Sequence, residues 1–287
     1  EKELYLRANA EGAEAVRLAA ATDLEWKPGE PLPERPTLPP VAPPQAGLLS
    51  GILSLSVPRG EAVEAQGFEI TWEADPRVAW VALSARVERT PKGGVARGSY
   101  TQPIARVPAS QGRHVWQVPW LDNIRFVLRA DALDGTRQVI GRAELPLAFR
   151  PAELAGEEAD GIYIHLSRVS RQRLYVQEGG QLTMVFLCSG ASTGQILPGH
   201  QHPDDPHDHY GTFRIQAKDP DHVSNLDPTW RMPYAMRYLA GHWIHVTARN
   251  QYYRLGRPAS HGCVRLHMVD GRRLFQRTRI GELVKIY

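Results

Sequence analysis

A block near the carboxyl end of the chain, Ser260-His261-Gly262-Cys263-Val264-Arg265-Leu266, contains residue types suited to acyl transfer. The Cys263 thiol is a nucleophile only as a thiolate, so it needs a base or an electropositive pocket. His245 lies 18 residues earlier on a predicted strand and can be that base if strand and loop bring the two together. A carbonyl under attack develops negative charge, which the N–H groups of Gly262 and Cys263 can stabilise if the segment turns tightly there. These residues predict a cysteine nucleophile with a histidine base.

The chain has two cysteines, and they receive different interpretations. Cys188 ends an apolar strand-like run, Leu182–Cys188, and is predicted to be a core residue. A Cys188–Cys263 disulfide would abolish the nucleophile. Two cysteines are also too few for a disulfide framework, and no CxxC pair is present for a zinc ribbon.

Other histidines offer a competing metal chemistry. His242 and His245 are three residues apart on one strand, so they point to opposite faces and make poor joint ligands. Histidines and carboxylates are dense between His200 and His209, where they could bind zinc or another transition metal. Their spacing fits no zinc-site pattern, so no metal site is assigned and no cofactor is expected. The residues concerned are His200, His202, Asp204, Asp205, His207, Asp208 and His209.

Composition excludes several other classes of protein. The 34 basic and 31 acidic side chains leave a formal charge of +3, with no basic arm, so nucleic acid is not an expected partner. No apolar run of about 18 residues could span a membrane. A hydrophobic content of 42% favours a folded chain. The first residue is Glu1 rather than Met, which we interpret as a chain whose signal peptide has been removed.

Length and patterning predict a mainly β chain in three parts. Residues 1–49 hold a short helix and a linker in which residues 28–44 include eight prolines. Residues 50–150 alternate like an immunoglobulin-like β-sandwich, with an Asp134-Gly135 hairpin turn. Residues 158–287 hold a second set of predicted strands, and this part carries the predicted chemistry. Its predicted strands are Ile162–Leu166, Arg173–Val176, Leu182–Cys188, Gly211–Gln216, Trp243–Thr247 and Leu283–Ile286, with a helix over Met268–Arg277 that buries Leu274 and Phe275.

Residues 160–287 resemble the L,D-transpeptidase catalytic domain of the YkuD type. That family's mark is a histidine, a spacer of 14 to 17 residues, then Ser/Thr-His-Gly-Cys, an apolar residue and Asn or Arg. Here His245 is followed by the 14 residues Val246–Ala259 and then SHGCVR. Flanking segments fit as well: Gly161–Ile164, Gln172–Val176, the Ser-Thr-Gly turn within Ser189–Gly194, Gly211–Ile215 and Ile280–Ile286.

The resemblance implies that residues 158–287 form a second, YkuD-type β-sandwich with one or two helices, and it implies a role for each motif residue. Cys263 would attack the third-residue carbonyl of a peptidoglycan stem peptide and release D-alanine. His245 would be general base and later general acid, with its ring oriented by the Val246 carbonyl. Ser260, His261 and Gly262 would shape the oxyanion pocket, and Arg265 would fix the loop or meet a substrate carboxylate. Trp230, Tyr234 and Tyr238, in the segment before His245, would line the donor groove or pack in the core.

The implied setting is the cell wall outside the cytoplasm, with stem peptides as partners and carbapenems as inhibitors. An amine of a second stem peptide, a lysine of an envelope protein, glycine or water could each accept the acyl group, and the sequence does not choose. Two hypotheses from other classes remain open. One is a metal-dependent hydrolase built on His200–His209, and the other is a non-catalytic peptidoglycan-binding scaffold.

Overall fold

The computed structural model describes residues 51–166, 171–191, 211–225 and 227–287. The predictions for residues 1–49 and for the His200–His209 loop lie outside the described residues. All described residues belong to one compact unit. Strands dominate them, so the prediction of a mainly β chain is confirmed.

Residues 53–150 form two sheets that share one core. A three-stranded sheet has the order β1-β3-β6, and a five-stranded sheet has the order β2-β8-β7-β4-β5. Leu55 and Phe68 from the first sheet pack with Val81, Leu128 and Leu145 from the second. The strands are β1 Leu53–Ser56, β2 Glu61–Val63, β3 Gly67–Ala74, β4 Trp80–Glu88, β5 Ser99–Pro108, β6 Arg113–Gln117, β7 Arg125–Leu133 and β8 Val139–Arg150, and short 3-10 helices span Ala109–Gln111 and Ala152–Leu154. This is a β-sandwich, and its immunoglobulin-like character stays a prediction.

The Asp134-Gly135 hairpin is confirmed, because β7 and β8 pair antiparallel on either side of it. Strand β5, in contrast, is absent from our sequence analysis. It contains Pro103 and Pro108, which cannot donate to a sheet and which normally exclude a segment from a central strand. The structure places β5 at the edge of its sheet, where prolines are tolerated.

Residues 161–286 form a second pair of sheets around a second core. One sheet has the order β11-β10-β9-β17-β12 and the other β13-β14-β15-β16. The strands are β9 Gly161–His165, β10 Arg173–Glu178, β11 Gln181–Leu187, β12 Gly211–Arg214, β13 Ala217–Val223, β14 Arg231–Leu239, β15 His242–Val246, β16 Val264–Leu266 and β17 Leu283–Ile286. A 3-10 helix spans Arg249–Arg254 and helix α1 spans Met268–Arg277.

Helix α1 packs on the sheet that carries His245. Leu274 and Phe275 are buried in the second core, as predicted. The helix can approach strand β15 closely because Gly271 has no side chain. A Cβ at this position would lie 2.4 Å from Cγ2 of Val246, the residue next to His245.

Contacts also join the two sandwiches. Nη2 of Arg173 donates to the Asp122 carboxylate at 2.6 Å, and Nη1 of Arg150 donates to Oε1 of Gln177 at 2.9 Å. The N–H of Gly93 donates to the carboxylate of Asp270 in the first turn of α1. In the part of the chain that the structure describes, no strand of residues 53–150 pairs with a strand of residues 161–286.

We predict that Gly271→Ala lowers the free energy of unfolding. A helical Gly-to-Ala change normally stabilises by up to about 1 kcal/mol, but here the added methyl would overlap Val246. Overpacking of this kind costs about 1–3 kcal/mol. Urea unfolding followed by circular dichroism measures the change, with the exposed Gln276→Ala in the same helix as control. A midpoint for Gly271→Ala equal to or above that of the unmutated protein would contradict the packing described.

Candidate active site

A short parallel strand pair brings the motif cysteine to the histidine. Strands β15 and β16 pair in parallel, with Ile244 opposite Val264 and His245 opposite Arg265. Ile244 and Val264 are fully buried in the second core. Because side chains alternate along a strand, His245 and Arg265 lie on the other face of this sheet. Cys263 comes two residues before Arg265, so its side chain is expected on the same face as those of His245 and Arg265.

His245 is buried, and one hydrogen bond fixes its tautomer. Its Nδ1 lies 2.8 Å from the carbonyl oxygen of Val246. A carbonyl can only accept, so Nδ1 carries the proton and Nε2 is left as an acceptor. The pKa of His245 is lowered to about 4, chiefly by burial; the hydrogen bond to the Val246 carbonyl raises it, and the positive charge of Arg265 lowers it. The ring is therefore neutral near pH 7 and can take a proton.

Cys263 is a partly exposed free thiol. Burial of the sulfur raises its pKa, while a backbone hydrogen bond at Trp243 and the charge of Arg265 lower it. The net direction is upward, so the resting group is a thiol that needs a base. Cys188 is a contrasting case. It is fully buried in the second core, as predicted, and burial raises its pKa to about 12.

The loop before Cys263 is held by its own hydrogen bonds. Ser260 is buried, and its Oγ accepts a hydrogen bond from the N–H of Gly262 at 3.1 Å. Gly262 has a φ of 141°, a backbone conformation that favours glycine. We expected the Gly262 N–H to be an oxyanion donor, but in the structure it donates to Ser260 instead. The N–H of Cys263 remains as the candidate oxyanion donor.

Arg265 fixes this loop from the neighbouring strand. Its Nη1 donates to the Ala259 carbonyl at 2.8 Å, and its backbone exchanges two hydrogen bonds with Ser189. The N–H groups of Ala259 and Ser260 both donate to the carbonyl of Gly190. Of the two roles expected for Arg265, the structure shows loop fixation. The rest of the predicted Ser-Thr-Gly turn, residues 192–194, lies outside the described residues.

The predicted groove aromatics separate into different environments. Trp230 is 43% exposed, and its ring stacks on the His261 ring with centroids 5.6 Å apart. This stack forms a flat aromatic surface next to the motif. Tyr234, in contrast, has a φ of 55° and packs its ring edge-on against Phe275. Tyr238 is fully buried in the core.

Sequence reasoning did not predict a second group of residues on this face. The His222 ring stacks on Trp243 at 4.1 Å, and its Nδ1 lies 3.1 Å from Oδ2 of Asp219. The guanidinium of Arg237 lies 5.8 Å from the centroid of the same indole ring. Strands β13 and β14, which carry His222 and Arg237, contain Pro220 and Pro233. These prolines interrupt the alternation that would reveal a strand.

The structure does not test a metal site in the His200–His209 loop, which it does not describe. Among the described residues, no group of three His, Cys, Asp or Glu side chains could hold a metal ion. No helix in that part of the chain is long and apolar enough to cross a membrane.

Comparison with known proteins finds a similarity that covers part of the chain. Residues 161–286 match the family model of YkuD, the L,D-transpeptidase catalytic domain. No curated protein matches the chain. Similar solved structures include an L,D-transpeptidase from Stackebrandtia nassauensis, at 23% identity, 45% coverage of this chain, 57% of that chain and a TM-score of 0.35. Another, from Xylanimonas cellulosilytica, has 22% identity, 45% and 61% coverage and a TM-score of 0.36.

A third structure, an L,D-transpeptidase from Mycobacterium tuberculosis, has 16% identity over 81% of this chain and 96% of that chain, with a TM-score of 0.35. This chain spans only 57% of the length of the Stackebrandtia protein and 61% of the length of the Xylanimonas protein.

We predict that the buried neutral His245 makes stability depend on pH. Its pKa is about 4 in the folded protein and about 6.5 when unfolded. Between these values the unfolded chain binds more protons, so stability falls as pH falls from 6.5 to 4. This histidine contributes a loss of about 2–3 kcal/mol over that range. Urea unfolding of the unmutated protein and of His245→Gln at both pH values measures it, because all other groups are shared. Equal pH slopes in the two proteins would show that His245 is not buried and neutral.

We also predict that Gly262→Ala strains the loop that presents Cys263. A positive φ costs an alanine about 1–3 kcal/mol, and the Ser260–Gly262 hydrogen bond depends on that conformation. We expect lower stability together with a slower reaction of the Cys263 thiol with iodoacetamide. Gly135→Ala, at an open position without a positive φ, is the matched control. Unchanged stability and thiol reactivity in Gly262→Ala would refute this description of the loop.

Proposed function

We propose that the chain is a cysteine-dependent peptidoglycan L,D-transpeptidase, because residues 161–286 match the family model of the YkuD L,D-transpeptidase catalytic domain. Its donor would be a stem peptide ending in D-alanine. Its product would be a new amide between the third residue of the donor and an amine. The observation that supports this most is the parallel pairing of β15 with β16, which brings a tautomer-fixed histidine and a thiol to one face.

In the first half-reaction, Nε2 of His245 takes the proton of the Cys263 thiol. The sulfur attacks the third-residue carbonyl and a carbon–sulfur bond forms. The carbon–nitrogen bond to D-alanine then breaks, and His245 returns the proton to the departing amine. The Val246 carbonyl holds the imidazole in the required tautomer and stabilises its protonated form, which is the role of the third member of a catalytic triad.

In the second half-reaction an acceptor amine attacks the thioester. His245 takes a proton from that amine, a carbon–nitrogen bond forms, and the carbon–sulfur bond breaks with return of the proton to sulfur. Both tetrahedral intermediates carry an oxyanion, for which the N–H of Cys263 is the candidate donor. Ser260 contributes by holding Gly262 in place, and the Trp230–His261 surface offers a platform for the donor peptide.

The pKa directions favour this order of events over a preformed ion pair. Burial makes His245 a weak base and keeps Cys263 protonated. Proton transfer then accompanies attack, once bound substrate has replaced water around the sulfur. The positive charge of Arg265 lies near both groups and favours the thiolate as it forms.

The acceptor of the acyl group determines which product the reaction gives. An amine of a second stem peptide gives a cross-link, a lysine of an envelope protein gives tethering, and water gives a carboxypeptidase side activity. We propose the stem-peptide amine, acting outside the cytoplasm where peptidoglycan lies. Digestion of cell wall treated with the pure protein, followed by mass analysis of the fragments, separates these products. Products released by water alone would restrict the activity to hydrolysis.

We predict that a carbapenem acylates Cys263 and not Cys188. Incubation with imipenem should add the mass of one inhibitor molecule to the intact protein. The adduct should be absent from Cys263→Ser and from Cys263→Ala. Cys188→Ala is the matched control and should acylate normally, because the Cys188 thiol is buried and its pKa is about 12.

No adduct on the folded, unmutated protein would count against the proposed function. The two alternative functions, a metal-dependent hydrolase and a non-catalytic scaffold, would then need to be tested. Stoichiometric metal that is lost in His207→Ala and His209→Ala would favour the hydrolase. Wall binding that is unaffected by Cys263→Ala, without turnover, would favour the scaffold.

A further inference from the structure

Arg237 lies on the same sheet face as the catalytic histidine. Strand β14 pairs with β15, and Arg237 is directly opposite Trp243. Trp243 precedes His245 by two residues on β15, so their side chains share a face. The neighbours Met236 and Ile244 also pair with each other, and both are fully buried in the core on the opposite face.

The guanidinium of Arg237 is half-buried, and nothing in the described part of the chain neutralises it. Its Nε is buried without a hydrogen-bond partner. Its one described contact is the Trp243 ring, 5.8 Å from the guanidinium carbon. A buried donor without a partner is unfavourable, so such a group in a native structure requires an explanation. A ligand that supplies the missing acceptor is one.

Nearby arginines differ in this respect. Arg265 donates to the Ala259 carbonyl, and Arg231, on the same strand as Arg237, donates to both carboxylate oxygens of Asp221. The Asp219 carboxylate contacts Nδ1 of His222, the histidine that stacks on Trp243. Among these three described arginines, Arg237 is the one whose guanidinium has no protein acceptor and can therefore donate to a ligand.

The neighbouring indole orients this group. Trp243 contacts His222 by ring stacking at 4.1 Å as well as the Arg237 guanidinium. A guanidinium stacked on an aromatic ring keeps its N–H edge free to bind an anion in the plane of the guanidinium. Arg237 and Cys263 lie on either side of Trp243 in this sheet, and the Trp243 backbone contacts the Cys263 sulfur through a hydrogen bond. An anion held by Arg237 would therefore lie on the same face as the reacting thiol.

We infer that Arg237 binds a carboxylate of the donor peptide and so positions the scissile carbonyl at Cys263. This inference rests on the proposed function. Arg237 would then bind the substrate carboxylate, a role that the sequence had suggested for Arg265. A planar guanidinium matches a carboxylate through two parallel hydrogen bonds, which sets orientation as well as affinity. Two carboxylates of the donor are candidates, the one on the terminal D-alanine and the one on the side chain of a diamino acid.

The test combines a change in the protein with a change in the substrate. Kinetics are measured for an unmodified donor tetrapeptide and for two amidated forms, one at the terminal carboxylate and one at the diamino-acid carboxylate. In the unmutated protein, amidation of one of them should lower kcat/KM at least about tenfold, the size expected for a hydrogen bond to a charged group. Arg237→Gln should lower kcat/KM for the unmodified peptide by a similar factor and should show no further loss on amidation. Arg237→Lys should recover part of the activity.

Arg231→Gln is the matched control, since it removes a guanidinium from the same strand and should behave like the unmutated protein. An amidation penalty of equal size in Arg237→Gln and in the unmutated protein would overturn the inference. So would the absence of any penalty in the unmutated protein. Calorimetric binding of the three peptides to Cys263→Ala repeats the comparison without turnover. Failure of the proposed function would appear separately, as no turnover of any donor by the unmutated protein.

Discussion

The candidate site depends on three residue pairs between β15 and β16, the one parallel pairing described in a sheet whose other described pairs are antiparallel. Ile244 and Val264 set its register because both are fully buried in the core. A slip of one residue would turn His245 into the core and Ile244 onto the active face. Hydrophobic burial on one side of the sheet therefore fixes catalytic geometry on the other. The tight fit of Gly271 against Val246 strengthens the same register.

In the proposed mechanism, the work of a catalytic triad is divided between side chain and backbone around this pair. The Val246 carbonyl replaces the usual carboxylate, so the dyad carries no buried negative charge that would raise the pKa of His245. Ser189 and Gly190 clamp the loop through backbone hydrogen bonds. Arg265 supplies a positive charge where a thiolate forms. The His245 and Cys263 side chains themselves are uncharged at rest and would become charged only during reaction, which matches the demands of a thiol nucleophile in a partly buried position.

Much of this arrangement can be read from the sequence because it resides in local chemistry. His245, Cys263 and the helix with Leu274 and Phe275 are revealed by motif spacing and by apolar periodicity. Strands β13 and β14 are not, because Pro220, Pro233 and several charged residues hide their alternation. The roles of Arg237 and Trp243 depend on pairing between those strands, which no local pattern encodes. The hydrogen bond from the Gly262 N–H to Ser260 depends on one backbone dihedral angle, which no sequence pattern encodes.

In the proposed reaction, the donor peptide becomes a thioester on Cys263. Rapid quenching of the protein with a donor tetrapeptide, in the absence of acceptor, followed by peptide mapping tests it directly. We predict a fragment containing Cys263 that carries the tripeptidyl group, which forms as D-alanine is released and disappears when an amine acceptor is added. Release of D-alanine without that adduct, or continued release by Cys263→Ala, would contradict the account.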